Sequence, residues 1–106
     1  MRGQTHLTRA KEVTSQVMKE ARKLEGFSRL TITEKEKVRD TLERETRLFY
    51  KDLNKLKRQV ADQIEEITKK RVTKVALALK DVAERHPDFK LAELVKLLND
   101  RIIEKT

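Results

Sequence analysis

Five basic residues recur at helical spacing within the segment ERETRLFYKDLNKLKR, residues 43–58. At 3.6 residues per turn, their side chains project from one side of a helix, about 200° from a second row that is mostly apolar. No acidic residue interrupts the basic row, which comprises Arg44, Arg47, Lys51, Lys55 and Arg58. Aligned cations of this kind are suited to contacting the phosphates of a nucleic acid.

Other residues widen this predicted phosphate-binding surface. The row from Arg44 to Arg58 extends about 21 Å at a rise of 1.5 Å per residue, which matches about six phosphates along one strand. Tyr50 lies at its margin, where we expect it to donate to a phosphate or stack on a base. Further candidate contacts are Lys57, Lys19, Arg22 and Lys23. Since the sequence holds no base-reading motif, we expect binding that tolerates many sequences, with DNA favoured over RNA.

A solvated helix face is the alternative interpretation of the basic row. Against it, Arg47, Lys51 and Lys55 are like charges four residues apart, an arrangement that costs a few tenths of a kcal/mol per pair. The same helix offers opposite charges at this spacing elsewhere, and we expect two such ion pairs: Asp40 with Arg44, and Glu43 with Arg47. The tolerated repulsion favours a surface that meets an anion.

Enzyme chemistry has little support in the sequence. The absence of Cys excludes disulfides, thiolate metal sites and cysteine nucleophiles. His6 and His86 stand eighty residues apart without a matching set of metal ligands, and no Gly-rich phosphate loop is present. We therefore predict no catalysis, no metal site, no cofactor and no small-molecule substrate.

Composition predicts an all-α fold. Two Gly and one Pro among 106 residues, with 42% charged and 4% aromatic residues, provide too little turn chemistry for a sheet protein. A hydrophobic content of 37% is low for a self-contained globule. It suits amphipathic helices that bury part of their surface on a partner chain, so we expect a homo-oligomer.

Residues 1–106 are predicted to form a single helical domain with two unlike halves. Residues 1–60 hold 16 Lys and Arg against 9 Asp and Glu, whereas residues 61–106 hold 10 against 9. This asymmetry predicts a basic half that binds a polyanion and a neutral, more apolar half that forms a helical hairpin and self-associates.

The apolar runs are too short for a membrane span. The longest, VALAL at residues 75–79, falls far below the ~20 residues that cross a bilayer. The apolar stripe of the central helix looks committed to helix packing, so we do not expect a membrane-surface role either. We expect a soluble intracellular protein of the cytoplasm or nucleoid, or of a virion.

Capping and turn residues divide the chain into three predicted helices. The first runs over residues 8–25 and ends at Gly26 in the left-handed conformation. Thr33 and Glu36 have the spacing of a capping box that starts the second. No Gly or Pro occurs from residue 34 to 86, so this helix extends about 80 Å up to Pro87. The third covers residues 89–104 and returns antiparallel to the second.

An eleven-residue repeat of apolar positions runs along the long central helix. Of the twelve positions 42, 45, 49, 53, 56, 60, 64, 67, 71, 75, 78 and 82, only Glu45 and Arg71 are not apolar. The period fits a hendecad-type coiled coil, and it equally fits one side of a helical bundle. Since the end helices are too short to cover it, either another protomer packs on the long helix or the helix bends near residues 68–74.

Two functions follow from these features. The first is a non-enzymatic protein that binds the phosphate backbone of nucleic acid, in an architectural or packaging role such as that of chromatin or nucleocapsid proteins. The alternative is a helical protein-interaction module, such as a scaffold, stalk or adaptor, whose long helix pairs with another helix and whose charges serve solubility or an acidic partner.

Overall fold

The protein folds into an all-helical bundle, as the composition predicts. A computed structural model describes residues 5–105, with side chains from residue 6 to residue 104. Within this part of the chain the helix content is 82%, no strand occurs, and a 3-10 turn covers Phe27–Arg29. The α-helices are α1 (Thr5–Ala21), α2 (Ile32–Lys55), α3 (Ala61–Ala78), α4 (Lys80–Arg85) and α5 (Leu91–Lys105). None of these helices is long and apolar enough to cross a bilayer.

The turn between α1 and α2 depends on Gly26. The helix α1 ends at Ala21, earlier than predicted, and the chain makes further turns before Gly26 adopts the left-handed conformation with φ of 82°. A Cβ atom at this position would lie 2.4 Å from the carbonyl carbon of Asp88. Gly26 therefore permits both the backbone angle and the close approach of the loop before α5, where Phe27 and Phe89 pack with ring centroids 6.2 Å apart.

The capping box that starts α2 lies two residues earlier than predicted. The Thr31 hydroxyl accepts from the Glu34 amide at 3.1 Å, and the Glu34 carboxylate accepts from the Thr31 amide at 2.9 Å. Thr33 and Glu36 have the same spacing, but Glu34 also accepts from Arg85 Nε at 3.1 Å and bonds His86 Nε2 at 2.7 Å. These contacts from the end of α4 select the earlier pair.

The helix is interrupted at residues 56–60, so the predicted continuous helix of about 80 Å is wrong. The predicted bend at residues 68–74 is also wrong, because these residues lie within α3. Leu56 and Val60 are extended, with ψ of 132° and 152°. No Gly or Pro causes the break. A straight helix would leave its apolar stripe in water, whereas the fold-back buries α2 against α3.

The four longer helices enclose one core. The helix α1 packs on α2 and α5, and α3 packs on the same two helices, so the four surround a common centre. The principal dimensions are 42 × 29 × 19 Å. The radius of gyration of 13.8 Å is near the ~13 Å expected of a compact chain of this length. The largest fully buried side chains include Phe27, Leu42, Phe49, Tyr50, Leu79, Leu94, Leu98 and Ile102.

Glu45 and Arg71, which interrupt the apolar repeat, pair with each other. Arg71 Nη1 donates to Glu45 Oε1 at 2.9 Å, and the two side chains are only 10% and 6% exposed. A second nitrogen, Nη2 of Arg71, lies 3.3 Å from Asp52 Oδ2. The eleven-residue repeat is therefore one side of a bundle, with a buried ion pair between α2 and α3.

Self-association through residues 72–103 stays a prediction. The apolar side chains on which it rested, such as Val75, Val82 and Leu98, are fully buried within the chain itself. Leu77 and Ile103 are the exceptions, at 67% and 54% exposed. The low hydrophobic content led us to expect that a partner chain would cover part of the apolar surface. Most of that surface is instead covered when the chain folds back on itself.

Replacing Arg71 by Met is expected to lower the free energy of unfolding by about 3 kcal/mol, because it leaves the Glu45 carboxylate buried without its main partner. Replacing both residues, Glu45→Met with Arg71→Met, should restore most of that loss. Urea unfolding monitored by circular dichroism measures both. Lys70→Met, at an exposed position on the same helix, is the control and should change stability by less than about 0.5 kcal/mol. Equal losses in the single and double variants would contradict a specific pair.

The Glu34 carboxylate is expected to make the free energy of unfolding depend on pH in acid. The hydrogen bond from the Thr31 amide, aided by Arg85 and His86, lowers the pKa of Glu34 from 4.5 to about 2. Its stabilising contribution is thus complete above pH 4.5 and is lost as the pH falls towards 2. We expect Glu34→Gln to be less stable than the wild type at pH 7, with a gap that narrows between pH 4.5 and 2. A gap independent of pH would contradict this assignment; Glu36→Gln is the matched control.

Candidate nucleic-acid interface

Three of the predicted phosphate-binding residues form a row on the exposed side of α2. Arg47, Lys51 and Lys55 are all exposed and stand four residues apart, so successive Cα atoms rise by about 6 Å. None of the three forms an ion pair with any other residue in the described part of the chain. Their charges are therefore available to an external anion.

Arg44 differs from the other members of the row. Its Nε donates to Glu45 Oε2 at 3.1 Å, and its side chain is 52% exposed. It thus partly neutralises a buried carboxylate and offers less charge to a ligand. The two ion pairs predicted at i,i+4 spacing, Asp40 with Arg44 and Glu43 with Arg47, are not formed, so this part of the prediction is wrong.

Lys57 and Arg58 lie at a bend in the linker between α2 and α3, where both are exposed. Arg58 therefore does not continue the helical row as predicted, because α2 ends at Lys55. The side-chain amide of Gln59 donates to the Leu53 carbonyl at 3.5 Å and holds the linker near the end of α2. Both cations are thus kept close to Lys55.

Tyr50 is buried, so the structure gives no support to its predicted contact with nucleic acid. Tyr50 is 2% exposed, and its ring meets Phe49 edge-on with centroids 5.1 Å apart. Burial raises the pKa of its hydroxyl, which forms no hydrogen bond with the described residues. On an α-helix, a residue one position from the edge of the buried stripe can lie on either side of the boundary, and the packing of α1 covers this one.

The basic residues near the end of α1 lie away from the row on α2. Lys19 and Lys23 border a groove with Arg101 of α5, whereas Arg22 borders another groove with Arg39 near the start of α2. From Arg39 to Arg47, the first unpaired cation of the row, the rise along α2 is about 12 Å. The expectation that Lys19, Arg22 and Lys23 widen the same surface therefore gains no support from their positions and stays a prediction.

The start of α1 brings two other residues to the row. His6 Nε2 lies 3.4 Å from the Asn54 side-chain amide, and the Arg9 guanidinium lies 5.7 Å from the centre of the Tyr50 ring. Neither residue was predicted from the sequence. A chain reversal placed near residue 30 would have predicted this contact, since residues 6 and 54 are equally distant from that turn along the chain.

We call the resulting surface the basic face. It ends towards the start of α2, where Glu36, Asp40 and Glu43 occupy the same outward side of the helix. Arg9 and His6 flank it on α1, and Arg44 adjoins it with part of its charge neutralised. Its members are Arg47, Lys51, Lys55, Lys57 and Arg58.

Comparisons with protein families, with curated proteins and with solved structures gave no match for this chain. The functional argument therefore rests on the geometry and charge of the basic face.

Tyr50 allows a direct check of this site. It is the only Tyr of a sequence without Trp, so tyrosine fluorescence reports on this one ring. We expect acrylamide to quench it several-fold less in the native protein than in urea, because the ring is buried. Tyr50→Phe removes an unpaired buried hydroxyl and should raise the free energy of unfolding by about 1 kcal/mol without changing nucleic-acid affinity. A tenfold loss of affinity in a folded Tyr50→Phe variant would restore the predicted contact.

Proposed function

We propose that the protein binds nucleic acid through phosphate contacts made by the basic face. The observation that carries this proposal is the row of three exposed cations on α2 without ion-pair partners in the described chain, continued by two more in the linker. Exposed cations without ion pairs also occur elsewhere in the described chain, as at Lys80 and Lys90, whereas Lys37 pairs with Asp81 at 3.0 Å. What supports the proposal is therefore the alignment of Arg47, Lys51 and Lys55 on one side of α2, which an external polyanion would neutralise.

The shape of the basic face favours contacts to the backbone rather than to bases. Its cations lie on the outer side of one helix and on a short linker, and the flexible Lys and Arg side chains can each follow a phosphate. Phe49 and Tyr50 of the same helix are buried and offer no stacking platform. Binding of this type tolerates many sequences and suits an architectural or packaging role on DNA, repeated by several copies along the polymer.

The adaptor alternative has less support. It relied on a long helix with an apolar stripe left for a partner, and that stripe packs inside the chain, with Leu42, Phe49, Val75 and Val82 fully buried. The large apolar side chains that remain exposed, such as Leu77 and Ile103, lie on different helices. The proposal of nucleic-acid binding therefore takes precedence.

A salt titration tests the proposal. Fluorescence anisotropy of a labelled 30-mer, as duplex DNA and as single-stranded RNA, gives the affinity at each salt concentration. If all five cations of the basic face neutralise phosphates, the plot of log affinity against log salt should have a slope of about −4.5 on duplex DNA. At 50 mM salt the triple variant Arg47→Glu, Lys51→Glu, Lys55→Glu should bind at least about 100-fold more weakly, because attraction is replaced by repulsion.

A matched control separates the basic face from net charge. Lys80, Lys90 and Lys96 are exposed and without ion pairs among the described residues, and none belongs to the basic face. Their replacement by Glu changes the net charge by the same amount and should weaken binding far less than the triple variant. Equal losses in the two variants, or no binding at low salt by the wild type, would sink the proposal. Circular dichroism confirms that each variant is folded.

A further inference from the structure

A second surface lies at the opposite end of α2 from the basic face. A groove of about 170 Å³ runs between the end of α1 and the start of α2. Its floor is apolar, made by the buried side chains of Met18 and Phe27, which are 7% and 2% exposed. Ile32 stands at its edge and is 78% exposed, the most exposed large apolar side chain in the described chain. The apolar surface that the fold leaves uncovered at this groove is therefore supplied mainly by Ile32.

Cations surround this apolar floor. Arg22, Lys35 and Arg39 border the groove, with Glu36 as the one acid among its lining residues. Lys35 Nζ lies 5.8 Å from the centre of the Phe27 ring, so this charge sits directly beside the floor. Arg22 and Arg39 are exposed and form no ion pair in the described part of the chain. The rim thus carries a local excess of positive charge over an apolar pocket.

We propose that this groove binds an acidic peptide segment of a partner protein, with one large apolar side chain in the groove and its acidic neighbours on the rim. The volume of the groove is sufficient for one such side chain, since about 150 Å³ holds a benzene-sized group. Charge complementarity with Arg22, Lys35 and Arg39 orients the peptide and raises its rate of association.

A nucleic-acid base suits this groove less well than an apolar side chain. The floor made by Met18 and Phe27 presents no hydrogen-bonding group to the polar edges of a base, and burying such edges without partners is costly. Glu36 on the rim also repels a continuous run of phosphates. These features select a peptide over a second nucleic-acid contact.

The peptide groove and the basic face are independent. Arg39 and Arg47, the nearest members of the two surfaces along α2, are separated by about 12 Å, and no residue belongs to both surfaces. Failure of nucleic-acid binding therefore leaves this inference intact, and the reverse also holds. A protein with both surfaces working would join a nucleic acid to an acidic partner.

A pair of labelled peptides tests the groove. The probe is fluorescein-labelled Glu-Asp-Glu-Phe-Asp-Glu-Glu, and its partner carries Ala in place of Phe; anisotropy against the full chain at 50 mM salt gives both affinities. We expect the Phe peptide to bind at least about tenfold more tightly, because burying an aromatic side chain provides that much or more. Ile32→Ser, an exposed substitution, should lower the affinity for the Phe peptide several-fold and leave that for the Ala peptide unchanged.

Two variants of equal charge change locate the binding site. Arg22→Glu with Arg39→Glu should weaken peptide binding about tenfold or more and spare nucleic-acid binding, whereas Arg47→Glu with Lys51→Glu should do the opposite. Equal affinity for the Phe and Ala peptides, or loss of peptide binding in the Arg47 and Lys51 variant alone, would overturn the proposal. Competition of hexathymidylate for the groove with equal affinity would replace the peptide by a nucleic acid and also overturn it. No peptide binding at millimolar protein concentration would have the same result.

Discussion

The ion pair between Glu45 and Arg71 fixes which part of α2 faces which part of α3. Burying one of these charges alone is expensive, so any arrangement of the two helices that separates them is strongly disfavoured. The midpoint of this pair along the chain is residue 58, and two pairs between α2 and the region of α4, Lys37 with Asp81 and Glu34 with His86, have midpoints at 59 and 60. All three midpoints fall in or beside the linker of residues 56–60. A helix that ended at another position would bring different residues together, so the position of the linker and the pairing of these residues depend on each other. The end of α4 is held to the start of α2 by the same register.

The apolar pattern predicts the buried surface of the chain, but not where the helix stops. Eleven of the twelve repeat positions are buried or half-buried, and the exception, Val60 at 43% exposed, lies in the linker. A residue pattern records which side of a helix avoids water, and it is the same for a straight and a folded-back helix. Lys55, Lys57 and Arg58 carry no local stop signal comparable to Gly26 or Pro87. Only the gain from packing α2 on α3 creates the break, and such a gain is a property of the whole bundle.

The candidate site likewise has a part that the sequence pattern predicts and a part that it does not. Exposure of Arg47, Lys51 and Lys55 follows from helical periodicity, because they lie opposite the stripe that includes Phe49 and Leu53. The contributions of α1 depend on how that helix is set against α2, which the periodicity of α1 alone does not encode. The burial of Tyr50 and the position of the cluster at the end of α1 were therefore not predicted, while His6 and Arg9 were missed. The position of Gly26 was the available clue, since a left-handed residue before a short turn fixes where the chain reverses.

The linker of residues 56–60 is a place where the chain can be cut while the helices on either side stay packed together. Its backbone is extended at both ends, all but Leu56 are exposed, and Lys57 and Arg58 are the residue types after which trypsin cleaves. Exposed, extended segments of this kind are preferred sites of proteolytic nicking. A cut after either residue would leave a fragment with α1 and α2 and a fragment with α3, α4 and α5. The core and the Glu45 to Arg71 pair span both fragments, so the two would remain one folded particle assembled from separate chains.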